Sequence, residues 1–186
     1  MRPLLLAAAA LACVATPAIA DECDVTPAQR DAARQSSWQI FDQQGGAPGT
    51  FRDLSGKRCY HAALTAYRDW LENGAGFQDE RQRAIGTFHI AQLLAFLDET
   101  DTAIEFFARA TWRDAQTNPA AVAWNLYVDG VLAFFASDRN AMTTSIAALQ
   151  DLDGATAGQW KDRLTGLRRC LRKDYREAMS ARCQAS

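Results

Sequence analysis

The chain has 186 residues, 48% of them hydrophobic, with 20 lysine and arginine against 22 aspartate and glutamate side chains. That balance argues against a general nucleic-acid binder, which needs a basic surface, and the length is enough for one domain with a sizeable core. No long apolar run follows the first twenty residues, so no membrane-spanning segment is expected beyond them.

At the N-terminus, Arg2, the apolar run over 4–15 and the small-x-small site Ala18-Ile19-Ala20 predict a signal peptide over 1–20, cleaved after Ala20. A lipoprotein cut before Cys13 is the alternative; against it, Ala10 stands where such signals carry a larger aliphatic residue. Export to the periplasm or beyond follows, with a single domain over 21–186. Without Arg2, 19 basic face 22 acidic residues, and from Trp160 onward the count is eight basic to three acidic. A solvated face on the last helices accounts for that basic end. Contact with an acidic partner is the other reading.

Four cysteines remain after cleavage: Cys23, Cys59, Cys170 and Cys183. An even count in an exported chain predicts two disulfides, and three connectivities are open. The pairs nearest in sequence, Cys23–Cys59 and Cys170–Cys183, would staple the two ends of the domain. Simple helical hairpins would hold each such pair too far apart, so one partner has to lie outside regular helix.

The first helix opens at Thr26-Pro27-Ala28-Gln29, a capping box with proline in the first turn. It carries Ala33, Ile40 and Phe41 on one face and ends at Gly45-Gly46. The long connection to about Lys57 is the expected binding or mobile loop, pinned by Phe51 and Leu54. A second helix spans 58–73, with Tyr60, Ala63, Leu64, Tyr67, Trp70 and Leu71 at helical spacing. Asp79 caps a third helix that ends near Leu97. Thr102 and Glu105 form a capping box for the fourth. Asn118-Pro119 opens a fifth that runs to Phe135, and Ser137-Asp138 turns into a sixth that ends near Leu149. Residues 151–158 link to a seventh helix with Trp160, Leu164, Leu167 and Leu171. Lys173-Asp174 turns into a short eighth with Tyr175, Ala178 and Met179. No stretch alternates with a two-residue period, so no sheet is expected.

The chain also repeats itself. Leu94-Ala95-Phe96-Leu97, followed by Ala103-Ile104, is answered by Leu132-Ala133-Phe134-Phe135, followed by Ala141-Met142. Ala63, Ala103, Ala141 and Ala178 fall in one register, and Ala103, Phe107 and Ala110 reproduce the small–aromatic–small pattern of a tetratricopeptide second helix. The chain therefore resembles tetratricopeptide repeats, with a longer period, Asp129 in place of a small residue and Ser145 in place of an aromatic. The resemblance implies an all-α fold: a short right-handed array of about four antiparallel helix pairs, stapled by disulfides. It also implies a concave face lined by Ile85, Phe88, Gln92, Phe96, Leu126, Gly130 and Phe134. Several of these are large and apolar, so they either line a recognition groove or fill a closed core.

Catalytic signatures are absent from the sequence. Cys59-Tyr60-His61 sets its two reactive groups on opposite sides of a helix, and His89 aligns with Tyr127 as a packing position. Neither a zinc spacing nor a calcium loop is present, and no cofactor is expected. Glu72, Glu80 and Glu105 are isolated carboxylates. The expected function is a non-catalytic periplasmic module that binds a protein or peptide. The alternative is a small inhibitor or immunity-type protein that neutralises a secreted hydrolase or toxin. An envelope hydrolase comes third.

Overall fold

A computed structural model describes residues 22–113, 118–152 and 154–185, and among them every regular element is helical. The expected signal segment with Cys13 lies outside the described residues. In chain order the elements are α1 (Pro27–Gln35), a π-helical turn (Gln39–Gln43), α2 (Phe51–Gly56), α3 (Tyr60–Asn73), α4 (Glu80–Phe96), α5 (Thr100–Arg109), α6 (Pro119–Phe135), α7 (Arg139–Gln150), α8 (Ala155–Arg169), α9 (Tyr175–Ala178) and α10 (Ala181–Gln184). No described helix is long and apolar enough to cross a membrane.

Side-chain caps fix most of the starts. Thr26 and Gln29 close the reciprocal capping box before α1. Asp79, Asn118 and Asp138 accept from the first-turn amides of α4, α6 and α7. The expected box at Thr102 does not form. Instead α5 starts three residues earlier than that cap would set it, at Thr100, with Glu99 as an N-cap that makes no side-chain bond.

Between α4 and α5 the chain turns through Asp98 in the left-handed region, and the same turn occurs at Arg58 and Ser137, with φ of 64°, 64° and 55°. Each is closed by the same long backbone bond: Cys59 N to Leu54 O, Glu99 N to Leu94 O and Asp138 N to Ala133 O, at 2.8–3.0 Å. One hairpin geometry thus joins α2 to α3, α4 to α5 and α6 to α7. Successive hairpins then pack side by side, α3 on α4 and α5 on α6, while α8 lies against both α6 and α7.

The small-residue register is only partly kept. Ala63, Ala103 and Ala178 are fully buried, but Ala141 is exposed and Met142 faces the core in its place. With Ser145 where Phe107 stands one hairpin earlier, α7 fills the core with Met142 and Ile146 instead.

The N-terminal third departs most from expectation. The first helix stops at Ser36, whose backbone turns extended while its hydroxyl bonds back to the Ala32 carbonyl. The chain re-enters as the π-helical turn, which leaves Ile40 43% exposed and sets Phe41 and Asp42 fully inside. The connection expected as a loop contains α2, capped by Thr50, with Phe51 and Leu54 buried as anchors. Phe41 stacks on Trp70 at 4.8 Å between ring centres, and Arg34 grips Asp69 with two bonds of 2.7 and 2.9 Å, tying α1 to α3.

At the other end, α8 begins at Ala155, inside the expected link, and the last helix is split into α9 and α10. This segment folds back onto α4. Tyr175 is buried among Phe96, Phe107, Phe134 and Phe135, with ring centres 5.2–5.9 Å away. The disulfides are Cys23–Cys59 and Cys170–Cys183, with Cα atoms 5.3 and 6.0 Å apart. The geometric problem is solved off the helices: Cys23 precedes α1, Cys59 sits in the turn before α3, and Cys170 ends α8. Two disulfides suit an oxidising compartment, extracellular or periplasmic.

One close approach yields a stability prediction. A Cβ on Gly86 would lie 2.2 Å from Phe77 Cε1 and 2.6 Å from the Tyr67 hydroxyl. Rigid rings cannot yield as a flexible chain would. Gly86→Ala is therefore expected to lose about 1–3 kcal/mol despite its better helix propensity. Urea denaturation reads this directly, and a variant as stable as the parent would refute the packing.

Candidate functional site

The π-helical turn places a carboxylate where none was expected. Asp42 has no solvent exposure, and four elements converge on it. His89 Nδ1, from α4, lies 2.9 Å from Oδ2. The Tyr67 hydroxyl, from α3, donates to the same oxygen. Arg52, from α2, donates its Nε to the Asp42 carbonyl and sets Nη2 3.6 Å from Oδ1. Gln43 donates its amide to Oδ1.

Burial alone would push the Asp42 carboxyl up. The charge and hydrogen bond of His89, the Tyr67 bond and the Arg52 charge outweigh it and hold the group below the ordinary aspartate value. The Tyr67 phenol goes the other way, well above its ordinary value, through burial and then through the Asp42 charge. It stays a proton donor. One buried donor nearby, Trp38 Nε1, meets no partner at hydrogen-bonding geometry, although it still favours the ionised form of the Tyr67 oxygen.

Beside this cluster lies a cavity of about 300 Å³, where α2, α4, α6 and α8 meet. Its walls are aromatic: Phe88, Phe96, Trp124, Tyr127 and Trp160. Arg52, Ser55, His89, Gln92 and Arg163 supply its polar groups, and Met179 closes one end. No aspartate or glutamate is among these lining residues. Trp124 is held by its indole N–H on the Ala110 carbonyl at 2.8 Å. Arg163 makes no ion pair or hydrogen bond among the described residues. Its charge is felt by Tyr127, whose phenol burial nonetheless pushes up to about 12.

Larger hollows of about 480 and 730 Å³ occur elsewhere, and both mix basic with acidic side chains. The first contains the Arg34–Asp69 pair. The second sets Arg58 and Arg176 beside Asp174 and Glu177.

Of the residues expected to line a concave face, Phe88, Gln92 and Phe96 come together at this cavity. Phe134 is buried against Tyr175 and borders a different hollow, near Ser137 and Leu171. Gly130 is the close approach of α6 to α8, where a Cβ would meet Leu164 Cδ1 at 2.3 Å. Ile85 and Leu126 are half-buried against the core, outside the cavity. Asp129 points to solvent.

Asp42, Arg52, Ser55 and Arg163 escaped the sequence reading, and His89 was assigned to packing. For His89 a signal existed: His89, Gln92 and Phe96 follow helical spacing and share a face. Asp42 gave none, since its position depends on the break at Ser36. The isolated glutamates offer little as general acids. Glu80 is held at about 2 by its bond from Arg83, which outweighs burial, helped by the backbone N–H of Arg113. Glu105 pairs with Arg109 on the surface. A comparison with known protein families, curated proteins and solved structures finds no match to the chain.

Proposed function

We propose that this is a non-catalytic binding module of the periplasm or extracellular space, a tetratricopeptide-like array of helix pairs that engages its partner at the inner face. The recurring turn at Arg58, Asp98 and Ser137 supports the repeat architecture, with α9 and α10 as a closing segment in place of a full fourth pair. The observation that carries the binding role is the cavity itself: an aromatic wall with an unpaired guanidinium and a half-used one at its edge. The tetratricopeptide resemblance points to a protein or peptide partner. A space of about 300 Å³ limits what enters to one compact group of that partner.

The test is site-specific photo-crosslinking in the cell envelope. A benzophenone amino acid in place of Met179, which lines the cavity, should give a discrete adduct, while the same group in place of Thr144, exposed on α7, should not. Equal yields at both positions would reject the inner face as the recognition surface.

A hydrolase is the second reading, favoured by one observation: Asp42 orients His89 as it would a general base, and Ser55 lines the same cavity. No hydrogen bond joins Ser55 to His89, so the nucleophile is not activated. His89→Gln is expected to leave envelope peptidoglycan turnover unchanged, and a lost activity would reverse the assignment.

A further inference from the structure

We propose that the inner-face cavity takes an acidic sugar, a hydroxylated, ring-bearing carboxylate of the hexuronate class. This rests on the inner face being the recognition site, and sets a sugar there in place of the protein or peptide to which the tetratricopeptide resemblance points.

Charge sets the first requirement. Two guanidinium groups and no carboxylate border the cavity. Arg163 is unpaired, and Arg52 reaches Asp42 Oδ1 only at 3.6 Å. A carboxylate is an acceptor-only group whose two oxygens match a guanidinium fork.

The remaining polar atoms set the second. Asp42 accepts from His89 Nδ1, which leaves Nε2 as the ring atom open to a ligand. Gln92 spends one amide N–H on the Tyr175 hydroxyl at 3.1 Å, which leaves Oε1 and the second N–H for a ligand. Neither Nε2 nor Oε1 is sealed from solvent without a partner. Together with the Ser55 hydroxyl they suit a ligand that carries several hydroxyls, which both donate and accept, beside its anion. Ring hydroxyls provide these, whereas an aspartate or glutamate side chain brings none.

The walls set the third. Trp160 lies nearly parallel to Tyr127, 15° between planes and 6.0 Å between centres. Flat aromatic surfaces suit the apolar C–H face of a pyranose. A volume of about 300 Å³ admits one such ring, at the small end of the range for ligand pockets.

Trp124 and Trp160 provide the readout. Their fluorescence is titrated with glucuronate, glucose, phenylacetate and a neutral-ended acidic tripeptide, on the full exported chain and on Arg163→Gln and Ser55→Ala. Glucuronate should bind saturably and at least about tenfold more tightly than glucose. Arg163→Gln should bring the two sugars to near parity without moving the thermal midpoint, since that side chain has no internal partner. Ser55→Ala should weaken both sugars together.

Equal binding of glucose and glucuronate, or a preference that survives Arg163→Gln, overturns the proposal. Preference for phenylacetate or the tripeptide over glucuronate also overturns it and returns the site to a peptide carboxylate. If no probe binds while the position-179 crosslink persists, the sugar class fails and the recognition face stands. If both are absent, both fail.

Discussion

Replacing Asp42 with alanine is expected to lower the unfolding free energy by about 3–5 kcal/mol, the usual cost of stranding the partners of a buried charge. The side chain is fully buried and joins the π-helical turn to α2, α3 and α4 through Arg52, Tyr67 and His89. Removing it leaves a buried hydroxyl and an imidazole N–H with nothing to donate to. Asp42→Asn keeps the shape and one acceptor, so it should cost less, about 1–3 kcal/mol.

The sign with pH separates charge from shape. The folded Asp42 carboxyl titrates below its ordinary value of 3.8. Its contribution is therefore fully present above that value and is lost as pH falls through the folded one. The gap between parent and Asp42→Asn in urea midpoints should be constant near neutrality and narrow below about pH 4. An Asp42→Ala loss under about 1 kcal/mol, or a gap indifferent to acid, would show that the cluster does not hold the fold.

Why this cluster was invisible in the sequence is a matter of range. Helix starts are local: Asn118-Pro119, Asp79 and Asp138 each satisfy amides two or three residues away, and the structure uses all three. The break at Ser36 is not local. A continuous helix through Ile40 would have kept the amphipathic stripe, but stopping it sinks Phe41 onto Trp70 and brings Asp42 to His89, 47 residues away. Packing of that kind overrides propensity and leaves no period to read.

The same distinction explains the aromatic stripe on α4 and α6. Spacing put Phe88, Phe96 and Phe134 on one side, yet whether that side is core or groove depends on what covers it. Tyr175 covers the Phe96–Phe134 end and leaves the Phe88–Gln92 end open. One stripe is thus core along part of its length and cavity along the rest. The basic C-terminal segment also contributes Met179 to the lining of the open cavity.

Loss of the Cys23–Cys59 bridge should be the most damaging change at the N-terminal end. The crosslink spans 36 residues, a loop for which chain entropy predicts about 4 kcal/mol, against about 3 for the shorter Cys170–Cys183 loop. Its loop contains α1, the π-helical turn and α2, of which α1 and α2 are too short to persist without tertiary support. The Cys23→Ser/Cys59→Ser double variant should therefore lose both the crosslink and order in the segment that carries Asp42 and Arg52. Its urea midpoint should fall further than that of Cys170→Ser/Cys183→Ser, and amide exchange should accelerate across residues 27–56 while α6 and α7 stay protected. The C-terminal double variant should instead release α9 and α10, expose Tyr175 and leave the Asp42 cluster protected. Uniform deprotection in either variant would mean that the chain unfolds as one unit, and that the two disulfides do not staple separable ends.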